Sequence, residues 1–585
     1  MALINCPHCG NVVSNLAPLC IYCGKQVNAS EEKLIYEIKN GVLVRYHGEC
    51  EVISLPAEVH SIGRGAFKDC ESIKKVIIGE NVKTISDYAF FSCGRLEHVV
   101  VSHGVTQIGF RAFMSCHALK EIELPDTVET LGDRAFENCV SLKKINIPEG
   151  VVSIGKEAFY NCSHLKELYL SDTVTSIGFE AFSNCRALKK VNLGNGLVSL
   201  GGRAFMNCAK IRSMELPESL KTIGEEAFYG CTMLSDVTLG SKVTSVGMFA
   251  FSDCTSLKSV NIPDSTTSLG IKSFYNCSSL KSVTLGNGLV EIGSEAFKGC
   301  SSLKKISIPS SVKIMGFEVF CDCPKLDDIE IGSVKRWCSI EFSHAKGNAE
   351  PYTRNLSIDG ALIEHLVVPE GVTRVSGGSF SNCPKIRSVT LPEGVTSIDM
   401  RAFLNCTRLG EINLPSTVTS IGKQAFYRCY KLKSIKIPDS VHSISTGTFG
   451  ECRDLQNIVL GEGVKTIDAL AFENCSSLKN IELGDNVTSV SKGAFLGCSA
   501  LESVVIGKNV ASISMGAFDG CKSLHTVFFK YSVEEMPRLL VGDNPELDRV
   551  FVYYYSEEMP DVSNLYWHYD ENGAPVIWQA EKAQS

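Results

Sequence analysis

The chain has 585 residues, with 57 basic and 65 acidic side chains and a net charge of −8 near neutral pH. This balance excludes a protein that is strongly basic overall, the class that binds polyanions through its whole surface. Because no run of 18 consecutive apolar residues occurs, the sequence predicts no transmembrane helix and no membrane span.

Residues 1–28 contain two CxxC pairs separated by ten residues. Two such pairs supply the four thiolates of a closed tetrahedral site, and soft thiolate ligands favour Zn²⁺. We predict a zinc ribbon in which Cys6, Cys9, Cys20 and Cys23 bind one structural zinc ion, with iron or a redox dithiol pair as the alternative. Since four sulfurs complete the site, His8 is expected to be no ligand and no catalysis is expected there.

Residues 29–62 are predicted to form a linker and an N-terminal capping hairpin. Polar residues 29–32 suit the linker, and β-prone residues 34–38 and 42–44 flank Asn40-Gly41, a typical two-residue hairpin turn. The hairpin is expected to cover the first coil of the body formed by residues 63–530, while the zinc ribbon is expected to lie outside that body.

Residues 63–530 are organised by cysteines that recur every 23 residues, each with a Phe three positions before it. A fixed period of this length is typical of a solenoid. The nineteen cysteines are Cys70, Cys93, Cys116, Cys139, Cys162, Cys185, Cys208, Cys231, Cys254, Cys277, Cys300, Cys323, Cys383, Cys406, Cys429, Cys452, Cys475, Cys498 and Cys521.

Within one unit, apolar residues follow each Cys at offsets 3, 6, 8, 12, 15, 19, 20 and 23. They can all point inward only if the chain makes one complete coil per repeat, so that stacked coils share one core. Ala158 and Phe159 are expected on a short helical or 3₁₀ turn. The residue before each Cys is often Asn, Gly or Asp, as at Asn184, and these types tolerate left-handed turns.

The unit resembles the leucine-rich repeat of the BspA-like (LRR_5) type, with its pattern LxxIxIPxxVxxIGxxAFxxC, over residues 63–331 and 361–530. The resemblance implies a mainly β, right-handed, curved repeat solenoid of parallel strands with short helical turns, here of about 19 coils. It implies no catalytic activity. We expect one repeat block at 63–332 and a second at 363–530.

Residues 333–362 interrupt the period and are predicted to be an irregular insertion. Trp337, Ile340 and Phe342 indicate an altered coil, and Asp359-Gly360 a second hairpin turn. Two interpretations stay open, an oversized structural repeat, which is favoured, and a binding loop.

Residues 531–585 are predicted to form an aromatic C-terminal cap, with strands at 550–556 and 566–569 and a turn at 570–573. An aromatic platform that binds glycans is the alternative.

We find no catalytic motif, since GxxxxGK[ST], GxSxG and HExxH are all absent and the histidines recur with no partner. Outward side chains at offsets 5 and 7, such as Lys144, Asn146, Glu167 and Tyr169, indicate a mixed polar surface. At those offsets the surface lacks the basic stripe of a nucleic-acid binder and the aromatic rows of a carbohydrate binder. We therefore expect a monomeric, non-enzymatic scaffold with a protein partner of unknown identity and no nucleic acid.

The cysteine ladder and the N-terminus bear on the compartment. Buried, reduced thiols are favoured over disulfides, because a parallel ladder points all thiols the same way, and they suit a reducing compartment. The start MALINCPHCG does not resemble a signal peptide, so a cytoplasmic protein is expected. The BspA-like resemblance implies the alternative, an adhesin displayed at the cell surface and exported without a recognisable signal.

Overall fold

The structure is a computed structural model that describes residues 3–6, 8–14, 19–25, 35–343, 355–531, 540–541, 546–560 and 565–578. The predicted linker at 29–32 and the middle of the predicted insertion, 344–354, lie outside these residues. In the described part of the chain, no helix is long and apolar enough to span a membrane.

Each repeat forms one coil that carries two strands. The first strand of a coil pairs in parallel with the first strand of the next, so that Glu167 lies beside Lys190. The second strand pairs in the same way, with Ser153 beside Ser176. Both pairings have the 23-residue offset of the repeat, which confirms the predicted mainly β solenoid.

The first strands of the coils are Val52–Ser54, Lys75–Ile78, His98–Val101, Glu121–Glu123, Lys144–Ile145, Glu167–Tyr169, Lys190–Asn192, Ser213–Glu215, Asp236–Thr238, Ser259–Asn261, Ser282–Thr284, Lys305–Ile308, Asp328–Ile331, Leu356–Ile358, His365–Val367, Ser388–Thr390, Glu411–Asn413, Ser434–Lys436, Asn457–Val459, Asn480–Glu482, Ser503–Ile506, Thr526–Phe529 and Phe551–Tyr555.

The second strands are Ser61–Ile62, Thr84–Ile85, Gln107–Ile108, Thr130–Leu131, Ser153–Ile154, Ser176–Ile177, Ser199–Leu200, Thr222–Ile223, Ser245–Val246, Ser268–Leu269, Glu291–Ile292, Ile314–Met315, Glu341–Phe342, Arg374–Val375, Ser397–Ile398, Ser420–Ile421, Ser443–Ile444, Thr466–Ile467, Ser489–Val490, Ser512–Ile513 and Leu540–Val541.

The described residues thus make about 21 turns, close to the 19 expected from the cysteines. The two additional turns carry the strands Glu341–Phe342 and Leu540–Val541, which no repeat cysteine follows. The helices of the described residues are the α-helix Val334–Trp337 and the 3₁₀-helix Leu547–Arg549, and Leu565 has 3₁₀ conformation as well.

The core is built from the predicted apolar positions. In the coil that begins at Cys162, all eight are buried, namely Leu165, Leu168, Leu170, Val174, Ile177, Ala181, Phe182 and Cys185. Identical residues stack from coil to coil, as in the Phe ladder, where the rings of Phe67 and Phe90 lie 4.7 Å apart and those of Phe205 and Phe228 lie 5.7 Å apart. Burial of each such side chain stabilises the fold by about 1.5–3 kcal/mol.

The turn that carries Ala158 and Phe159 is not the helical or 3₁₀ turn that the sequence predicts. It consists of successive hydrogen-bonded turns, including Cys162 N–H to Phe159 O at 3.2 Å. Glu157 has φ 53° and Asn161 has φ 58°, and left-handed residues at these points prevent a continuous helix. The left-handed residue before Cys was expected from the Asn, Gly and Asp found there, and it is confirmed at Asn184, with φ 61°.

The coils approach each other closely at the glycine that follows the second strand in most coils of unit 1. A Cβ added at Gly224 would lie 2.6 Å from the carbonyl carbon of Gly201 in the preceding coil. A side chain at Gly224 would therefore require a local shift of the backbones, although other coils carry Ser or Asp at this position, as at Ser491 and Asp468.

The chain divides into two compact units, residues 1–306 with 318–326, and residues 307–317 with 327–585. This division falls inside the predicted first repeat block and not at the predicted insertion. We refer to them as unit 1 and unit 2.

Unit 1 begins with the strands Leu3–Asn5 and Val12–Ser14, which pair antiparallel. A hairpin follows in which Tyr36–Lys39 pairs antiparallel with Val42–Tyr46, and its turn has Asn40 at φ 51° and Gly41 at φ 77°. Its second strand pairs in parallel with Ser61–Ile62 of the first coil, so the hairpin covers that edge.

Unit 2 contains the described parts of the insertion. Glu341–Phe342 pairs with Ile314–Met315, so residues around Trp337 do form an altered coil. Leu356–Ile358 and Ala361–Leu362 form the expected hairpin, whose turn has Asp359 at φ 51°.

The end of unit 2 contains the expected aromatic strands. Phe551–Tyr555 pairs in parallel with Tyr566–Tyr569, which pairs antiparallel with Pro575–Ile577. Trp567 is fully buried, and its Nε1–H donates to Phe529 O at 2.9 Å. Because this indole lies in the interior, the arrangement favours a cap over a glycan platform.

Candidate metal centre and interaction surface

Four cysteine sulfurs lie together at the N-terminus of unit 1. The Sγ atoms of Cys6, Cys9, Cys20 and Cys23 all lie within 4.8 Å of one another. Cys6 and Cys23 are 3.7 Å apart, and Cys9 and Cys20 are 3.4 Å apart. Zn–S bonds of about 2.3 Å in a tetrahedron place sulfurs about 3.8 Å apart. The four cysteines are therefore near enough to one another to hold a metal ion.

Two similar turns present these sulfurs. Gly10 N–H donates to Cys6 O at 2.9 Å in the first turn, and Gly24 N–H donates to Cys20 O at 2.8 Å in the second. Both glycines have positive φ, 74° and 72°. His8 N–H also points at Cys6 Sγ at 3.4 Å. Backbone donors aimed at a sulfur stabilise its thiolate form, the form that binds metals.

Cys9 and Cys20 differ in the pKa of their thiols. Burial raises the pKa of the Cys9 thiol. Burial also acts to raise the pKa of Cys20, but the backbone N–H groups of Tyr22 and Cys23 outweigh it and lower that pKa to about 7. Cys20 is thus more readily deprotonated than Cys9 on metal binding.

The cysteine cluster lies against the capping hairpin, which precedes the repeat coils. A Cβ added at Gly10 would lie 2.5 Å from the Tyr36 Oη, so backbone and ring are in tight contact. A fifth buried thiol, Cys50, lies nearby, and its pKa is raised to about 11 by burial and then by the charges of Cys23 and Cys6. The period of the repeat could not reveal Cys50, which precedes the first regular coil.

In the part of the chain that the structure describes, these four cysteines are the one group of three or more His, Cys, Asp or Glu side chains arranged to hold a metal. In the described residues, the histidines that contact a carboxylate each contact a single one, for example His98 Nδ1 at 3.8 Å from Glu121 Oε1.

The outer surface of the first strands is polar and repetitive. Side chains at offsets 5 and 7 alternate with buried ones, as where Glu121 and Glu123 flank buried Ile122. Opposite charges in neighbouring coils pair across it, with Lys190 Nζ at 3.7 Å from Glu167 Oε1. The structure places these predicted residues in aligned rows on one face of unit 1.

The residue at offset 4, one position earlier, forms a further exposed row that sequence reasoning missed. Eight of nine consecutive coils carry a basic residue there, with Ser235 as the exception. We call these eight the basic row: Lys120, Lys143, Lys166, Lys189, Arg212, Lys258, Lys281 and Lys304. Their backbones are joined from coil to coil, for example Lys166 N–H to Lys143 O at 3.1 Å and Lys189 N–H to Lys166 O at 3.0 Å.

The insertion in unit 2 is anchored by buried polar contacts. Trp337 Nε1–H donates to Ser379 O at 2.7 Å, and the Ser376 hydroxyl donates to Cys338 O at 2.6 Å. These contacts fix the altered coil to the next repeats of the chain.

Comparison with known proteins identifies the repeat. The family model of the BspA type leucine rich repeat region matches residues 44–166, 152–270, 244–346, 359–475 and 442–547. These matches cover most of the sequence, and the chain belongs to the BspA-type leucine-rich repeat family. Members of such repeat families are scaffolds for protein interaction or surface adhesins.

Similar solved structures include a leucine-rich repeat protein from Bacteroides ovatus, 24% identical, with 76% of this chain and 92% of that chain covered and a TM-score of 0.34. A leucine-rich cell surface protein from Faecalibacterium prausnitzii is 20% identical, with coverages of 84% and 91% and a TM-score of 0.26. The pneumococcal vaccine antigen PcpA is 19% identical, with coverages of 67% and 84% and a TM-score of 0.31. The search of curated proteins found no match.

Proposed function

We propose that the protein is a non-catalytic scaffold that binds another protein through the solenoid and acts in the cytoplasm. The observation that carries the proposal is the aligned outer surface of unit 1, where polar side chains repeat in register from coil to coil. Solenoids use such extended surfaces to bind proteins.

The four-cysteine cluster is proposed to hold one structural zinc ion through Cys6, Cys9, Cys20 and Cys23. Its support is the close grouping of four sulfurs and the backbone N–H groups aimed at them. The ion would cross-link the two turns. A site closed by four thiolates has no open position for substrate, which is why the proposed role is structural and not catalytic.

The cytoplasmic part of the proposal rests on the thiol ladder. The repeat cysteines are thiols that form no disulfides in the described residues, and those from Cys93 onward are buried. Burial raises the pKa of Cys185 and Cys231 to about 12, so both remain protonated thiols at neutral pH. A core that depends on many reduced thiols suits a reducing compartment.

Family membership supplies the second candidate, a cell-surface adhesin of the BspA type. The two candidates predict different states of the repeat cysteines. Cysteines of a cytoplasmic protein stay reduced, whereas those of a protein outside the cell are exposed to steady oxidation.

The test is cross-linking in the cells that make the protein. The tagged full chain is treated with a lysine-reactive cross-linker inside intact cells, and cross-linked peptides are identified by mass spectrometry. The proposal expects one recurrent protein partner, joined through lysines of the outer strand surface such as Lys144 and Lys190. A membrane-impermeant biotin reagent applied to parallel cells should leave the protein unlabelled. Labelling of the intact cells would favour the adhesin, and the lack of any recurrent partner would contradict the scaffold.

A further inference from the structure

We propose that the basic row of unit 1 is a docking site for an extended acidic segment of the partner protein. The inference rests on the proposed scaffold function and names the chemistry of its partner.

Side chains at offset 4 of adjacent coils are close enough to form ion pairs. In unit 2 the same repeat position carries mixed residues, and opposite charges there form pairs. Arg387 Nε lies 3.0 Å from Glu364 Oε2, and Lys479 Nζ lies 3.8 Å from Glu502 Oε1. In unit 1 Lys120 pairs in the same way with Glu97. An anion in line with this position can therefore contact the side chains of adjacent coils.

From Lys143 to Lys304 no coil carries an acidic residue at offset 4 that could pair with the basic row. Every coil there offers a basic residue or Ser235, and within the described residues none of the seven basic side chains from Lys143 onward forms an ion pair. Like charges directly opposite each other on adjacent strands are destabilising. The next position along the same strands, with Glu121, Lys144, Glu167 and Lys190, alternates in sign and avoids this cost.

The geometry of the row fits an extended polypeptide. Seven coil steps separate Lys143 from Lys304, which at about 4.8 Å per strand spans about 34 Å. An extended segment of about ten residues has that length. Because lysine side chains are flexible, their ammonium groups can reach the carboxylates of an acidic segment even where the spacing of these carboxylates differs from the spacing of the coils.

The surroundings favour a protein segment over a nucleic acid. Single-stranded nucleic acids are held by aromatic side chains on which the bases stack. The exposed positions that border the row, offsets 2 and 5 from each repeat cysteine, carry no aromatic residue between Cys116 and Cys300 apart from the imidazole of His164. The surface offers charges and hydroxyl groups but no continuous stacking platform.

The test measures binding of a fluorescently labelled peptide of about ten glutamates to the full chain by anisotropy at low and physiological salt. The row variant is Lys166→Glu/Lys189→Glu/Arg212→Glu. The matched control is Lys433→Glu/Lys436→Glu/Lys479→Glu, which changes the net charge equally at exposed positions of unit 2 that lie in a first strand or directly before one. We expect the row variant to lower the affinity at least about tenfold and the control less than about twofold. Salt should weaken wild-type binding.

Other outcomes overturn the inference. These are no binding of the peptide at low salt, equal loss in both variants, or an oligo-deoxythymidine or polyphosphate bound at least about tenfold more tightly than the peptide. Thermal melting checks that the variants fold, and Lys166→Gln/Lys189→Gln/Arg212→Gln replaces the row variant if charge reversal unfolds it. If the row variant keeps its cellular partner in the cross-linking experiment, the scaffold function stands and the docking site is wrong.

Discussion

The thiol of Cys162 donates a hydrogen bond to the carbonyl oxygen of Phe136, 3.2 Å away in the preceding coil. The same bond recurs along the ladder, from Cys93 to Phe67 O at 3.0 Å in unit 1 to Cys521 at the end of unit 2. The repeated cysteine is therefore a buried donor that links one coil to the carbonyl of another, and not only a small apolar side chain. A thiolate would lose this bond and would be a charge buried away from water, which destabilises it.

This arrangement predicts that stability falls at alkaline pH. Burial raises the folded-state pKa of Cys185 and Cys231 to about 12, from an ordinary value of 9.0. Below the unfolded value both states hold the proton. Above it the unfolded chain releases protons that the folded chain keeps, so the unfolding free energy falls until pH reaches the folded pKa, by up to about 1.4 kcal/mol per pH unit for each thiol.

Chemical denaturation of wild type and Cys185→Ala/Cys231→Ala between about pH 8 and 11 checks this prediction. The variant is less stable at pH 8 but should lose less stability as pH rises, since two of the titrating thiols are gone. Parallel pH curves for the two proteins would contradict the assignment.

The Phe ladder should contribute far more to stability than the outer surface. Phe228 is fully buried between Phe205 and Phe251, whose ring centroids lie 5.7 and 5.1 Å away. Phe228→Ala should lower the unfolding free energy by about 3–5 kcal/mol. Lys190→Ala, at an exposed position, should change it by about 0.5 kcal/mol or less. Denaturant titration compares them, and similar losses would mean that the core is misplaced.

The metal prediction concerns Cys6→Ser/Cys23→Ser. The wild-type protein should contain one zinc ion per chain by elemental mass spectrometry, and the variant should contain none, because two of four thiolates are missing. Cys50→Ser, which removes the neighbouring thiol and no proposed ligand, is the control and should keep the metal. Since the cluster contacts Tyr36 of the capping hairpin, loss of zinc should also lower the melting temperature of the whole protein. Zinc retained in the double variant would refute the ligand set.

The insertion should depend on one buried indole. Trp337→Phe removes the hydrogen bond to Ser379 O, leaves that buried carbonyl with one donor fewer, and should cost about 1–3 kcal/mol. Trp578→Phe is the matched control, because its Nε1–H donates to Ser556 O at 3.1 Å from a half-buried position, and it should cost less. Equal costs by denaturant titration would show that Trp337 does not anchor the altered coil.

The repeat itself could be predicted from sequence because its information is local and periodic. Spacing alone gave the buried positions of the Cys162 coil, and turn chemistry gave the hairpin at Asn40-Gly41 and the left-handed residue at Asn184. The left-handed conformation of Glu157 was not predicted, because most coils carry a charged or aromatic residue there, although Gly447 and Gly493 occupy the same position of their coils and mark it. This conformation is imposed by stacking, as the Glu157 N–H donates to Phe179 O of the next coil at 2.8 Å.

The candidate site was predictable in part for similar reasons. CxxC spacing is a local pattern, so the four cysteines could be grouped, but their contact with Tyr36 and the proximity of Cys50 depend on how distant segments pack. The basic row was not predicted, because the alternation of buried and exposed residues along a strand assigns only offsets 5 and 7 to the outer surface. The alignment of many coils shows that offset 4 is a row of basic residues from Lys120 to Lys304, interrupted at Ser235.

The state of the cysteine ladder tests the account most directly, since the core, the compartment and the scaffold function all assume free thiols. The protein is taken from its own cells without reductant and alkylated before and after denaturation, and labelled cysteines are counted by mass spectrometry. Buried ladder thiols such as Cys162 and Cys185 should resist alkylation in the native protein and react completely once it is denatured. Extensive disulfides among the ladder cysteines would contradict both the reduced core and the cytoplasmic role.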